Sequence, residues 1–317
     1  MITAAIITSI LIIILSGAHF TYRKCFYSSK NRNSDPYAQF TGPQYDDCAE
    51  FMRQCSAVME NTEFQWLTIL AKDNTPLRAR YYRFSDNAPL MILFHGYRSV
   101  ALRDCVGGFA LGKHLGWNIL AVDQRAHGCS GGETISFGIL ERFDCLSWCE
   151  YAVRNLSLSS PIVLYGLSMG ASTILMATNL NLPKEVSCAV ADCPYSTPSD
   201  IIKKVCSERG FSPKITYPLI KLGARIYGKF DLNETSATDS VRSAKIPILL
   251  IHGDDDRFVP WEMSRQIYES CVSNCQLKVF PGAGHGLCCM VDPDRYADEV
   301  LGFFDSLPEL KPFLQTE

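Results

Sequence analysis

The five residues Gly166-Leu167-Ser168-Met169-Gly170 carry the clearest chemical signal in the chain. A serine hydroxyl is a weak nucleophile, so it must be held exposed on a sharp turn beside a base. Glycines two residues before and two residues after it let the backbone make such a turn. A second group, His252-Gly253-Asp254-Asp255-Asp256-Arg257-Phe258-Val259-Pro260, places three carboxylates in a row. Three desolvated carboxylates side by side would repel one another, so one is expected to point inward and the others to face water. Asp256 is the inward choice, the acid that would orient a catalytic histidine, with Asp254 and Asp255 as turn residues. A third group, Phe280-Pro281-Gly282-Ala283-Gly284-His285-Gly286, sets a histidine on a glycine-rich loop. Imidazole, with an ordinary pKa of about 6.5, is the natural general base. His95, His127 and His252, each followed by glycine, read as structural hydrogen-bonding residues, while His19 and His114 have no evident chemical role. Asp192 is an alternative acid, and its other reading is to cap a turn.

These groups need a scaffold. Leu90–Phe94, Asn118–Val122, Ile162–Tyr165, Val186–Ala191 and Ile246–Ile251 are short apolar runs, the pattern of strands buried on both faces. Phe64–Leu70 and Leu77–Phe84 alternate like strands near a sheet edge, and Gln276–Phe280 is a last strand-like stretch. Helix-length segments lie between, notably Phe137–Val153, Met169–Thr178 and Trp261–Ser270. The alternation predicts an α/β fold, a mostly parallel sheet with helices on both faces. The serine then falls at a strand-to-helix turn, and the acid and histidine fall just past later strands. From Tyr195 to about Val241 no strand is evident, but helical pieces such as Ile201–Val205 and Ile215–Tyr227 are. That excursion predicts a small helical lid at about 195–241, with apolar residues such as Phe211, Ile215 and Leu219 available to line an acyl pocket.

The order Ser168, Asp256, His285 matches that of one hydrolase architecture, and over roughly Phe64 to Leu307 the sequence resembles the α/β-hydrolase superfamily. His95-Gly96-Tyr97 looks like the oxyanion-loop segment of that family. Asp123-Gln124-Arg125-Ala126-His127-Gly128-Cys129-Ser130 resembles its D-x-R-G-H-G-x-S turn, with Ala126 in place of the usual glycine. Ser-Met-Gly-Ala-Ser after the turn and Ala191-Asp192-Cys193-Pro194-Tyr195 carry a narrower likeness to bacterial serine aminopeptidase-like and monoacylglycerol lipase-like hydrolases, many of which have an N-terminal hydrophobic segment. The resemblance implies a serine hydrolase of carboxylic esters. Ser168 would attack an acyl carbonyl, His285 would take and return the proton, and Asp256 would hold the imidazole. The backbone N–H groups of Tyr97 and Met169 would meet the oxyanion. Such a mechanism calls for no metal and no organic cofactor. A serine peptidase or amidase on the same three residues is the nearest alternative. A non-catalytic, membrane-tethered binding module on a hydrolase scaffold is the alternative from another class.

Composition narrows the remaining possibilities. The 317 residues are 47% hydrophobic and carry 30 basic against 33 acidic residues, so a disordered chain or a phosphate-neutralising nucleic-acid binder is not expected. The expected partner is a small-molecule ester or lipid-like substrate. The 14 cysteines show no zinc-ligand spacing and read as reduced, mostly buried small hydrophobes. A redox role for the adjacent Cys288 and Cys289 is disfavoured by their apolar neighbours Leu287 and Met290.

Ile2 to Ala18 is a run of 17 uncharged residues, the short end of a membrane-spanning helix. Ser16-Gly17-Ala18 would suit a signal peptidase, but no basic residue precedes the run. Arg23, Lys24, Lys30 and Arg32 follow it, which favours a single-pass N-terminal anchor with the catalytic domain on the cytoplasmic side over an exported, cleaved form. The expected organisation is therefore a hydrophobic anchor or signal over residues 1–22, a linker over 23–44 whose polar part is Ser28–Gln44, and a hydrolase domain over 45–317. Within that domain, Tyr45–Glu60 has the spacing of an amphipathic helix.

Overall fold

The apolar runs form the centre of a single eight-stranded sheet. The structure is a computed structural model that describes residues 1–29, 43–156 and 160–314. The strands are β1 (Gln65–Leu70), β2 (Pro76–Tyr82), β3 (Leu90–Phe94), β4 (Asn118–Asp123), β5 (Ile162–Leu167), β6 (Val186–Asp192), β7 (Ile248–Gly253) and β8 (Cys275–Phe280). Their order across the sheet is β1-β2-β4-β3-β5-β6-β7-β8. β1 and β2 pair antiparallel, β2 is antiparallel to β4, and every other neighbouring pair is parallel. Every residue of β3, β4 and β7 is buried, because helices cover both faces, as parallel sheets require. Two apolar clusters result. One lies under the helices Glu141–Asn155 and Met169–Ala177, the other under Val106–His114 and Pro293–Asp305.

Element boundaries depart from the sequence reading for local reasons. β7 begins at Ile248 rather than Ile246, because Pro247 has no N–H to give the ladder; its carbonyl still accepts from Ala189 N at 3.0 Å. The helix expected from Phe137 begins at Glu141. Phe137 and Gly138 both have positive φ, 56° and 92°, and the Glu141 carboxylate folds back to accept from the amides of Ser136 and Gly138 at 2.7 and 2.9 Å. Between β6 and β7 there is no strand among the described residues. Helices Pro198–Glu208, Pro213–Gly223 and Ala237–Val241 fill this excursion, with a π-turn at Ala224–Gly228.

The N-terminus forms one long helix, α1 (Ile2–Cys25), three residues beyond the expected end of the hydrophobic segment. Its first half is exposed on all sides, while Ala18, Tyr22 and the following Phe26 are buried. Phe26 stacks edge-on against Phe137 and Phe230, and the Tyr22 hydroxyl bonds Thr134 Oγ1 at 2.7 Å. Ile135 N donates to Phe26 O and Ser28 N to Glu133 O, both at 2.8 Å. Residues 23–28, assigned to a linker by sequence, therefore belong to the packed body. Residues 30–42, the bulk of the expected linker, lie outside the described residues.

The strand-to-helix turn after β5 leaves no room for change. A Cβ on Gly170 would lie 2.1 Å from the carbonyl oxygen of Phe94, on neighbouring β3. Gly170→Ala is expected to lower unfolding stability by about 3 kcal/mol through overpacking, read as a reduced denaturation midpoint. A midpoint equal to wild type would show that the turn can open without strain.

Candidate active site

Ser168 is the first residue past β5 and precedes the helix Met169–Ala177. Its backbone is held at φ 55°, ψ −115°, a strained conformation for a residue with a Cβ. Ser168 N donates to Asp192 O at 2.8 Å, so the ladder between β5 and β6 runs directly into the turn. Asp254 N bonds Phe280 O, and Asp255 N bonds Ala283 O, which ties the loop after β7 to the loop after β8. These two loops bring Asp256 and His285 to the serine.

The three side chains form a continuous chain of hydrogen bonds. His285 Nε2 lies 2.9 Å from Ser168 Oγ, and His285 Nδ1 lies 2.7 Å from Asp256 Oδ2. The other carboxylate oxygen, Oδ1, accepts from the amides of Phe258 and Val259 at 2.9 and 2.7 Å. Burial pushes the Asp256 carboxyl up, but His285 and His252 outweigh it and hold the acid well below the ordinary carboxylate range. It is a permanent anion, suited to orienting an imidazole and stabilising its protonated form. Because this folded-state value is depressed, its contribution to stability is fully present above the ordinary carboxylate range and is lost progressively as pH falls from that range through the depressed folded-state value.

Sequence reading missed one member of this group. His252 Nε2 lies 2.9 Å from Val259 O and 3.2 Å from Asp256 Oδ2, and its Nδ1 lies 2.6 Å from Ser264 Oγ. Val259 O can only accept, so Nε2 carries a proton and donates. His252 thus donates toward Asp256 Oδ2, the carboxylate oxygen that also meets His285 Nδ1. Its place four residues before Asp256 is the signal that could have found it. Asp192, the alternative acid, instead accepts from the Tyr296 hydroxyl at 3.0 Å, and burial pushes its carboxyl up to about 6. Among the described residues, His285 Nδ1 is met by Asp256 and not by Asp192.

The oxyanion-loop candidates sit beside the nucleophile. A Cβ on Gly96 would lie 3.5 Å from Ser168 Cβ, so Tyr97 follows the point of closest approach. Met169 opens its helix, where amides have no carbonyl one turn back to bond. Two neutral histidines brace the loop. His95 Nε2 accepts from Gln124 N, and His127 Nε2 accepts from Arg98 N. Burial lowers their pKa values to about 4 and about 3. Ala126 adopts φ 62°, which accounts for glycine at this position in the motif it resembles. On the other side the loop is held by α1. The Tyr97 hydroxyl donates to Cys25 O at 2.7 Å, and Arg98 Nη2 donates to Lys24 O at 2.6 Å.

The cavity over Ser168 has a volume of about 560 Å³ and is walled by Tyr45, Met52, Val106, Leu167, Phe258 and Met290 among others. The lid contributes only Arg209 to that wall. The expected apolar lining from the lid is not found: Phe211 and Ile215 are exposed, and Leu219 packs near Gly17 of α1. The short helix Pro43–Asp46 covers the site instead, with the Tyr45 hydroxyl donating to His285 O at 3.1 Å and Gln44 Nε2 to Asp255 Oδ2 at 2.8 Å. Cys193, Asp256 and His285 bring one potential ligand atom each within 4.8 Å of the others. The histidine and carboxylate are already committed to each other, and burial keeps the Cys193 thiol protonated, so the set is poorly suited to a metal ion.

The alpha/beta hydrolase family matches residues 91–299, about two thirds of the chain. The chain belongs to the α/β-hydrolase family. Among relatives, the uncharacterized protein YqkD of Bacillus subtilis is 25% identical over 61% of this chain and 64% of its own length. Human protein ABHD12B is 27% identical over 64% of this chain and 58% of its own. The matches thus span less than two thirds of either relative. Among solved structures, the Pyrococcus furiosus esterase Pf2001 superposes with a TM-score of 0.64 at 25% identity, covering 78% of this chain and 92% of that one.

The two acids can be separated by mutation. Asp256→Asn is expected to lower ester turnover by about 10³–10⁴-fold, because the amide favours the wrong imidazole tautomer. Asp192→Asn, whose carboxylate bonds Tyr296 rather than His285 Nδ1, is expected to leave turnover within about tenfold of wild type. The opposite ranking in steady-state kinetics would transfer the orienting role to Asp192.

Proposed function

We propose that the protein is a serine hydrolase of carboxylic esters acting through an acyl-enzyme. The observation that carries this reading is the Ser168–His285–Asp256 hydrogen-bond chain, 2.9 and 2.7 Å, on a strained turn open to a cavity of about 560 Å³. His285 removes the Ser168 proton as the oxygen attacks the acyl carbonyl, and the backbone N–H groups of Tyr97 and Met169 take the developing negative charge. His285 then protonates the leaving alcohol, and water, activated by the same imidazole, releases the acid and restores the serine. The cavity is more apolar than polar at its walls, in keeping with a small or medium acyl chain. The likeness to the Pyrococcus furiosus esterase Pf2001 supports the choice of ester over amide.

The same reading makes α1 a retained anchor, with the catalytic domain on the cytoplasmic side. Ala18 and Tyr22 are buried against the body and Arg23 and Lys24 follow the apolar run, so cleavage after Ala18 would cut into a packed contact.

The test is labelling of the full chain in detergent with a fluorophosphonate probe, followed by turnover of aryl esters of increasing acyl length and a matched anilide. Wild type is expected to label and Ser168→Ala is not, with turnover down by about 10⁴-fold or more. Esters are expected to be cleaved well ahead of the anilide. A folded wild-type protein that does not label would leave the scaffold without chemistry, and an anilide cleaved as fast as the ester would point to a peptidase.

A further inference from the structure

The contacts between α1 and the lid fix where the lid must sit if α1 spans a membrane, an inference that rests on the anchor reading of the proposed function. The uncharged run Ile2–Ala18 has 17 residues. At 1.5 Å per residue it reaches about 26 Å, slightly short of a hydrocarbon core of about 30 Å. No residue of the run is spare. Yet its last turn is already occupied by lid residues. The Tyr227 hydroxyl reaches Leu15 O at 3.4 Å, and a Cβ on Gly17 would lie 3.3 Å from Leu219. A Cβ on Gly223 would lie 2.4 Å from Ala18 O. The lid helix Pro213–Gly223 and the π-turn after it therefore lie at the depth where α1 leaves the hydrocarbon.

The surface of that segment is built for such a position. Phe211, Ile215 and Ile226 are 57%, 69% and 44% exposed. Between residues 198 and 229 there are seven basic residues against two acidic ones, in a chain whose formal net charge is −3. Arg209, Lys214, Lys221 and Lys229 form no ion pair among the described residues, whereas Lys203, Lys204 and Arg225 have carboxylate partners. Exposed apolar side chains interleaved with unpaired cations match the boundary of an anionic bilayer.

We propose that the lid, through residues 209–229, docks on the surface of an anionic membrane leaflet and presents the cavity mouth to amphiphilic esters held there. Arg209 belongs both to this surface and to the wall of the cavity. Arg98, beside it in that wall, is held by Lys24 O at the end of α1. The mouth thus lies within about two helical turns of the membrane boundary, roughly 10 Å. A substrate with a negatively charged or strongly polar head would keep its head among these arginines while its ester reaches Ser168.

The test uses the full chain in nanodiscs, either of phosphatidylcholine alone or with roughly one third phosphatidylglycerol. A tryptophan introduced as Phe211→Trp is expected to be quenched by lipids brominated on their acyl chains. A control tryptophan, Val272→Trp, at an exposed site ahead of the N-terminal end of β8, the edge of the sheet opposite the loops that carry Asp256 and His285, is not. The quenching is expected to be stronger with phosphatidylglycerol, and Lys214→Glu combined with Lys221→Glu is expected to remove that difference. In the anionic discs the double substitution should also slow hydrolysis of a bilayer-dissolved ester by about tenfold or more, leaving a water-soluble aryl ester unaffected. Absence of quenching at position 211, or quenching indifferent to both lipid charge and the double substitution, overturns the docking. Lack of wild-type turnover on either ester would instead count against the esterase reading, because the fluorescence signal does not depend on catalysis.

Discussion

Ser168 is held in a backbone conformation that no unconstrained serine would keep, φ 55° and ψ −115°, and the rest of the fold is arranged to enforce it. A residue in this region carries about 1–3 kcal/mol of strain. β5 fixes the chain on one side, the helix Met169–Ala177 fixes it on the other, and the close approach of Gly170 to β3 prevents the turn from relaxing. With the hydroxyl fixed, the loops after β7 and β8 need only meet it. They are tied to each other by backbone hydrogen bonds, which fixes the acid and the imidazole relative to one another.

The site is more heavily braced than a three-residue description implies. Asp256 receives His285, His252 and two backbone amides, which fixes its charge and its direction together. The loop that carries Gly96, Tyr97 and Arg98 is clamped between two buried neutral histidines and the last turn of α1. Removing water from such groups strengthens each electrostatic contact, and preorganised donors need not reorient as charge develops.

The nucleophile turn, the central strands and the order of the three catalytic candidates were legible in the sequence, because each depends on residues adjacent in the chain: glycines two positions away from a serine, or apolar runs bounded by turns. His252 as a donor to Asp256 was not legible. A histidine before a glycine at a strand end has ordinary structural uses, and only the folded loop brings its ring to the acid. The lining of the cavity was misjudged for a related reason. Apolar spacing in Ile215–Tyr227 identifies a helix with an apolar face, but not which surface that face meets; it meets α1 and solvent, and Gln44 and Tyr45 take the place over the site. The helix start at Glu141 and the strand start at Ile248 follow from a turn and a proline that act one to four residues away, at the limit of what periodicity resolves.

The packing of α1 against the lid also governs the order in which the molecule can be assembled. Leu15 and Tyr227 are 212 residues apart, and the two rings that meet Phe26 edge-on, Phe137 and Phe230, lie far along the chain from it. During synthesis the last turn of α1 is complete long before its partners exist, leaving Tyr22 and Phe26 without cover while most of the sheet is made. Contacts of such sequence separation form late and slowly. The loop carrying Tyr97 and Arg98, whose outer support is Lys24 and Cys25, would therefore be fully held only after residues 213–230 have packed onto the first helix. A truncated or stalled chain could hold a complete β3–β5 core and still lack a formed site.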